Sequence, residues 1–138
     1  MEFIGPIEMQ FLTGLALSIF VGLIIGIERE SRGKDAGIST HMMVVAGSML
    51  FTLLSMHVDP NSTSRIAAQV ITGIGFLGAG LVLKEGEHVK NLTTAASLWY
   101  SAALGMSIGF GFYAIAIIGG IAAAVIPRFP SLRKKNGP

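Results

Sequence analysis

Apolar residues in this chain come in long uncharged runs, from Met9 to Ile27, Met42 to Met56, Ile66 to Leu83 and Leu92 to Ile126. Run length of this kind is the signal of a membrane span, and each of the first three is about one span long. As one helix the fourth would reach roughly 52 Å at about 1.5 Å per residue, well beyond a hydrocarbon core of about 30 Å. It is therefore expected to fold in two at Gly105-Met106-Ser107-Ile108-Gly109-Phe110-Gly111, where glycine lets the backbone turn. The pattern predicts an all-α membrane protein, a bundle of five transmembrane helices over 9–27, 42–56, 66–83, 92–106 and 110–126. All five belong to one domain, 1–138, that ends in a basic tail over 127–138.

Charge supports the count and orients the bundle. Lys and Arg accumulate in cytoplasmic loops. Five spans with the N-terminus outside put Arg29, Arg32, Lys34, Lys84, Lys90, Arg128, Arg133, Lys134 and Lys135 on the cytoplasmic side and leave Arg65 outside. Four spans would strand the basic tail on the wrong face. The net charge of +2 thus has a topological reading, and nucleic acid is not an expected partner. Charged Glu2 and Glu8 precede the first run and Glu28-Arg29-Glu30 follow it, so it reads as a retained helix rather than a cleaved leader.

Composition narrows the chemistry. Of the 138 residues 51% are hydrophobic and 13% charged, against about 25% charged in an average soluble domain. Cysteine is absent, which removes disulfides, thiolate metal sites and thiol nucleophiles. His41, His57 and His88 lie too far apart for a zinc site. Gly73-Ile-Gly75-Phe-Leu-Gly78 matches the dinucleotide fingerprint only by letter, because it lies inside an apolar span, and no P-loop motif is present.

Small residues mark the expected packing faces. Gly14, Ser18, Gly22 and Gly26 repeat every four residues along helix one, and Thr93, Ser97, Ser101 and Gly105 do so along helix four. Such stripes let backbones approach closely in lipid. Helix three holds Gly73, Gly75, Gly78 and Gly80 on more than one face and is expected at the centre of the bundle.

The densest polar cluster runs from Glu28 to Asp35 and on to Thr40 and His41. Either it is a solvated loop that fixes orientation, or Glu30, in line with Gly22 and Gly26, turns its carboxylate into the bundle toward an Arg or a cation. Asp59 and Arg65 can pair on the outer side. Gln69 calls for an interhelical hydrogen bond, and Thr93 and Thr94 can cap helix four or line a polar funnel at its N-terminus. No charged residue stands near the middle of any span, which argues against a proton-coupled pump.

The segments Gly26 to His41, Arg65 to Gly80 and Leu92 to Trp99, taken in this order, resemble the MgtC/SapB family of bacterial inner-membrane proteins. The resemblance covers nearly the whole chain. It implies a multi-pass inner-membrane protein tied to growth in low magnesium and to virulence. Such a protein modulates other membrane machines, ATP synthase among them, without an ATPase module of its own; the alternative is a transporter or channel for magnesium or another ion. Carried over by motif, the candidate binding residues are Glu28, Arg29, Glu30, Arg32, Gly33, Thr40, His41, Arg65, Gln69, Thr93 and Thr94. No catalytic residue and no resident cofactor is implied, magnesium being the one ion in view. The implied partners are the lipid bilayer, a second copy in a homodimer, and another membrane complex. Four positions depart from the family pattern: Asp35 stands for Pro, Ser39 for Arg, Asn91 for Gly, and Tyr100 for the Cys of some members. Many members also continue into a soluble cytoplasmic domain, whose function is not carried over.

Overall fold

The structure is a computed structural model that describes residues 4–85 and 88–129. Five helices make up almost all of it: α1 Pro6–Ser31, α2 Ile38–Val58, α3 Arg65–Leu81, α4 Leu92–Gly109 and α5 Tyr113–Val125, the last running on into a 3-10 turn at Ile126–Arg128. By length and composition α1, with 26 residues, and α2, with 21, are long and apolar enough to cross a membrane; α3 is apolar but has 17. The all-α expectation holds. The helices start and stop at different places from the uncharged runs, because a helix continues through charged residues that can reach its end. Thus α1 carries on through Glu28-Arg29-Glu30, and α4 extends to Gly109 before the turn. That turn is made by Gly111, whose φ of +84° is open to glycine and costly for a side chain.

Between α3 and α4 the chain forms an antiparallel hairpin, β1 Leu83–Glu85 and β2 His88–Lys90, with Leu83 opposite Lys90. The run to Leu83 had placed part of it in helix three; the helix ends at Leu81, and Val82 turns extended. The basic tail expected over 127–138 lies beyond the described residues from position 130 on.

Helices α1, α2, α4 and α5 close into a ring, each touching the next, and α3 leans on the outside against α4 and α2. The main core sits inside the ring, where Val21 and Ile25 of α1 meet Val45 and Met49 of α2, Ile108 of α4 and Ala116 of α5. A smaller cluster, Ala36, Ile74, Leu98 and Ala102, seats α3.

Small residues set the spacing. A side chain at Gly22 would come within 2.8 Å of Met42 N and 3.0 Å of the His41 carbonyl carbon, and one at Gly26 within 2.9 Å of Ile38 N. On the other side of α2, Gly105 faces the Val45 carbonyl and Gly109 lies 2.7 Å, measured the same way, from the Met49 carbonyl oxygen. The stripes of α1 and α4 therefore both close on α2, which takes the central position that the glycines of helix three had suggested for α3. Gly73, Gly75 and Gly80 meet nothing within 4 Å, and Gly78 has only ordinary contact with Ala95. Among the residues of α3 only Ala67 and Ile74 are buried.

Candidate functional site

One end of the bundle gathers the charged residues. Here α1 ends, α2 and α4 begin, and α5 finishes. Arg32 Nη1 donates to the Pro127 carbonyl at 2.6 Å, and Asn91 Nδ2 donates to Asp35 Oδ2 at 2.7 Å. The first loop is thereby tied to the end of α5 and to the hairpin. Gly33 turns that loop with φ +62°, and Asn91 holds the same left-handed region before α4, which asparagine tolerates better than most residues. Two of the four departures from the family pattern, Asp35 and Asn91, are thus hydrogen-bonded to each other.

Below this collar lies a buried ion cluster. Glu28 and Arg29 are 4% and 1% exposed. Arg29 Nε stands 3.6 Å from Glu28 Oε2, and the half-exposed Arg32 places its Nε 3.1 Å from Glu28 Oε1. None of the three Arg29 nitrogens makes a hydrogen bond among the described residues, so Glu28 is the one group that balances its charge. Glu30 does not enter the bundle. It is exposed, and its Oε2 accepts from Ile38 N at 3.1 Å, capping α2 from the preceding helix. The reason is the helical period: steps of four residues drift by about 40° each, so the inward face that holds Gly22 and Gly26 continues at Arg29 rather than at Glu30.

His41 is fully buried on the first turn of α2. Its Nδ1 lies 2.9 Å from the Gly37 carbonyl, which can only accept, so Nδ1 carries the proton. Its Nε2 lies 3.2 Å from Ser97 Oγ, bridging α2 to α4, while the Ser97 hydroxyl itself donates to the Thr94 carbonyl at 2.7 Å. Thr94 is buried beside this bridge, while Thr93 and Thr40 are exposed.

The candidates divide accordingly. Glu28, Arg29, Glu30, Arg32, Gly33, His41 and Thr94 come together at one end. Arg65 lies at the other end, exposed, 3.5 Å from Asp59. Gln69 is exposed on α3, where it lines the cleft toward α2, away from the cluster. Sequence reasoning passed over Ser55, whose Oγ donates to the Thr63 carbonyl at 2.7 Å and accepts from Ile66 N at 3.1 Å and Ala67 N at 3.2 Å. A serine at the end of one apolar run carries no mark of capping the next helix.

Among the described residues at this end, three carboxylates are engaged. Glu28 is held by two arginines, Glu30 by a backbone N–H and Asp35 by Asn91. Among the described residues no group of three or more His, Cys, Asp or Glu could hold a metal ion. The site is built to fix helix ends against each other.

Fold and site together define an all-α helical bundle, two of whose helices are long and apolar enough to cross a membrane, closed at one end by a buried ion cluster. The MgtC family profile matches residues 15–132, and the chain belongs to that family. It is 45% identical over 101 residues to Protein MgtC of Salmonella typhimurium, covering 73% of this chain and 44% of that protein. It is 40% identical over 129 residues to YhiD of Escherichia coli K12, provisionally named a magnesium transporter, covering 85% and 59%. Uncharacterized protein slr0014 of Synechocystis is 42% identical over 117 residues, covering 84% and 50%. The chain spans about half the length of the curated relatives it matches. No solved structure matches.

Proposed function

We propose that this chain is a multi-pass inner-membrane protein with a magnesium-related role, acting without catalysis as a regulator of another membrane complex, ATP synthase being the one the family resemblance suggests. In this reading the five helices cross the bilayer with the N-terminus outside and the ion cluster at the cytoplasmic end. The observation that carries it is the commitment of Glu28, Glu30 and Asp35 at that end to internal partners, with no charged residue in the middle of the bundle to pass a cation on. What the end presents to the cell is a rigid polar surface suited to docking.

The name of one relative, YhiD of Escherichia coli K12, favours a second reading, a magnesium transporter. Flux separates the two. Purified protein in liposomes is expected to carry magnesium no faster than empty vesicles, while cells lacking it grow worse when magnesium is scarce. Saturable flux abolished by Glu30→Gln would overturn the regulator reading. Sidedness is tested in the same cysteine-free chain, with Ser62→Cys expected to react with an impermeant thiol reagent from outside intact cells and Lys134→Cys not.

A further inference from the structure

Arg32 is shared by two parts of the molecule that lie 95 residues apart in the chain. Its Nε stands 3.1 Å from Glu28 Oε1, one turn back on α1, and its Nη1 donates to the Pro127 carbonyl at 2.6 Å. That carbonyl belongs to the 3-10 turn Ile126–Arg128, which closes α5. An arginine that bonds a terminal carbonyl is an ordinary way to finish a helix. Here the same guanidinium is also the nearest cation to a carboxylate that is buried. Arg29 stands farther off, at 3.6 Å, and neither Glu28 oxygen nor any Arg29 nitrogen makes a hydrogen bond among the described residues. Desolvation costs a buried ion pair about as much as attraction returns unless hydrogen bonds complete it. The Glu28–Arg29 pair is therefore finely balanced, and Arg32 supplies the contact that keeps it closed.

We propose that Arg32 is a latch that ties the end of α5 to the buried Glu28–Arg29 pair, so that displacing the turn at Ile126–Arg128 opens the pair to water. The guanidinium is planar and rigid, so a shift of the Pro127 carbonyl is passed on to the Glu28 contact rather than absorbed within the group. Closed, the latch hides Glu28 and gives the rigid surface described above, with Arg32 half-exposed on it. Open, it brings the Glu28 carboxylate to that surface and changes the pattern of charge at the end of the bundle. A partner that moves the end of α5 thereby changes what the first loop presents. That use rests on the docking reading, whereas the latch itself is a property of the single chain.

The test is carboxyl labelling of the full chain in micelles by a water-soluble carbodiimide and glycinamide, read by mass spectrometry with the exposed Glu30 as internal reference. Glu28 is expected to be protected in the wild type and to label about tenfold faster in Arg32→Gln, the weight of one hydrogen bond to a charged group. Pro127→Gly loosens the turn from the far side with Arg32 in place, and the same rise at Glu28 is expected. Arg32→Lys offers a single nitrogen, which can pair with Glu28 but cannot span two partners held by different nitrogens. In that background Pro127→Gly is expected to add nothing. Ile126→Gly, at a side chain 59% exposed, loosens the same turn should Pro127→Gly fail to fold. Glu28 labelling unmoved by the turn variants, or moved as much in the Arg32→Lys background, overturns the latch. So does a wild-type Glu28 that labels as fast as Glu30. Amide exchange at Thr52, buried farther along α2, is expected to stay unchanged, and a parallel rise there means unfolding and overturns the proposal too. Failure of the latch leaves the docking reading standing, because flux and growth test that reading separately.

Discussion

Gly22→Ala is the sharpest test of the packing around α2. The added Cβ would lie 2.5 Å from Met42 Cα, 2.8 Å from Met42 N and 3.0 Å from the His41 carbonyl carbon. Carbon atoms rest at about 3.5–4.0 Å, so α1 and α2 must part by about 1 Å. The obstructing atoms are backbone and cannot rotate away. Gly26, one turn on, is seated just as closely on Ile38, so the strain is shared along the seam. Overpacking costs about 1–3 kcal/mol, and this contact belongs at the upper end. Alanine recovers about 1 kcal/mol of helix propensity, leaving a net loss of about 2 kcal/mol, or roughly thirtyfold in the folded-to-unfolded ratio. Gly75→Ala supplies the opposite sign, since its Cβ meets nothing within 4 Å and only the propensity gain remains. The assay is unfolding in mixed micelles by rising sodium dodecyl sulfate, followed by circular dichroism. A Gly22→Ala protein as stable as wild type, or a Gly75→Ala protein destabilised to the same degree, would refute the reasoning.

Three further perturbations address the polar contacts. Glu28→Gln leaves the buried Arg29 guanidinium without its counter-charge and is expected to cost about 3–5 kcal/mol in the same unfolding assay, whereas Glu30→Gln keeps an oxygen for Ile38 N and should stay within about 0.5 kcal/mol. Ser55→Ala strips acceptors from Ile66 N and Ala67 N; a loss of about 1–3 kcal/mol is expected, with faster amide exchange at those two residues than at Ile74. Asn91→Ala keeps a side chain at φ +62° while losing the bond to Asp35, so it should be less stable than Asn91→Gly by about 1 kcal/mol; equal melting of the two variants would count against the left-handed conformation.

The resemblance carried by Gly26–His41, Arg65–Gly80 and Leu92–Trp99 was enough to reach the family, and the uncharged runs were enough to reach five helices with a glycine turn between the last two. These are properties of local sequence, where apolar run length and backbone permissiveness act directly. The order of packing is another matter. Glycines in α1, α3 and α4 look alike along the chain, yet only the stripes of α1 and α4 close on α2, because a glycine matters where another backbone comes near, and nearness is a property of the assembled bundle. Tertiary structure likewise decided that Arg29 enters the bundle while Glu30 caps α2, a difference of one residue in helical phase. It paired Asp35 with Asn91 across 56 residues of chain and lent Ser55 to the start of α3. Strands of three residues, as in the hairpin, are too short to leave a period in the sequence. Polar contacts of this kind are fixed by where whole helices sit, so they become visible only once apolar burial and close backbone approach have placed those helices.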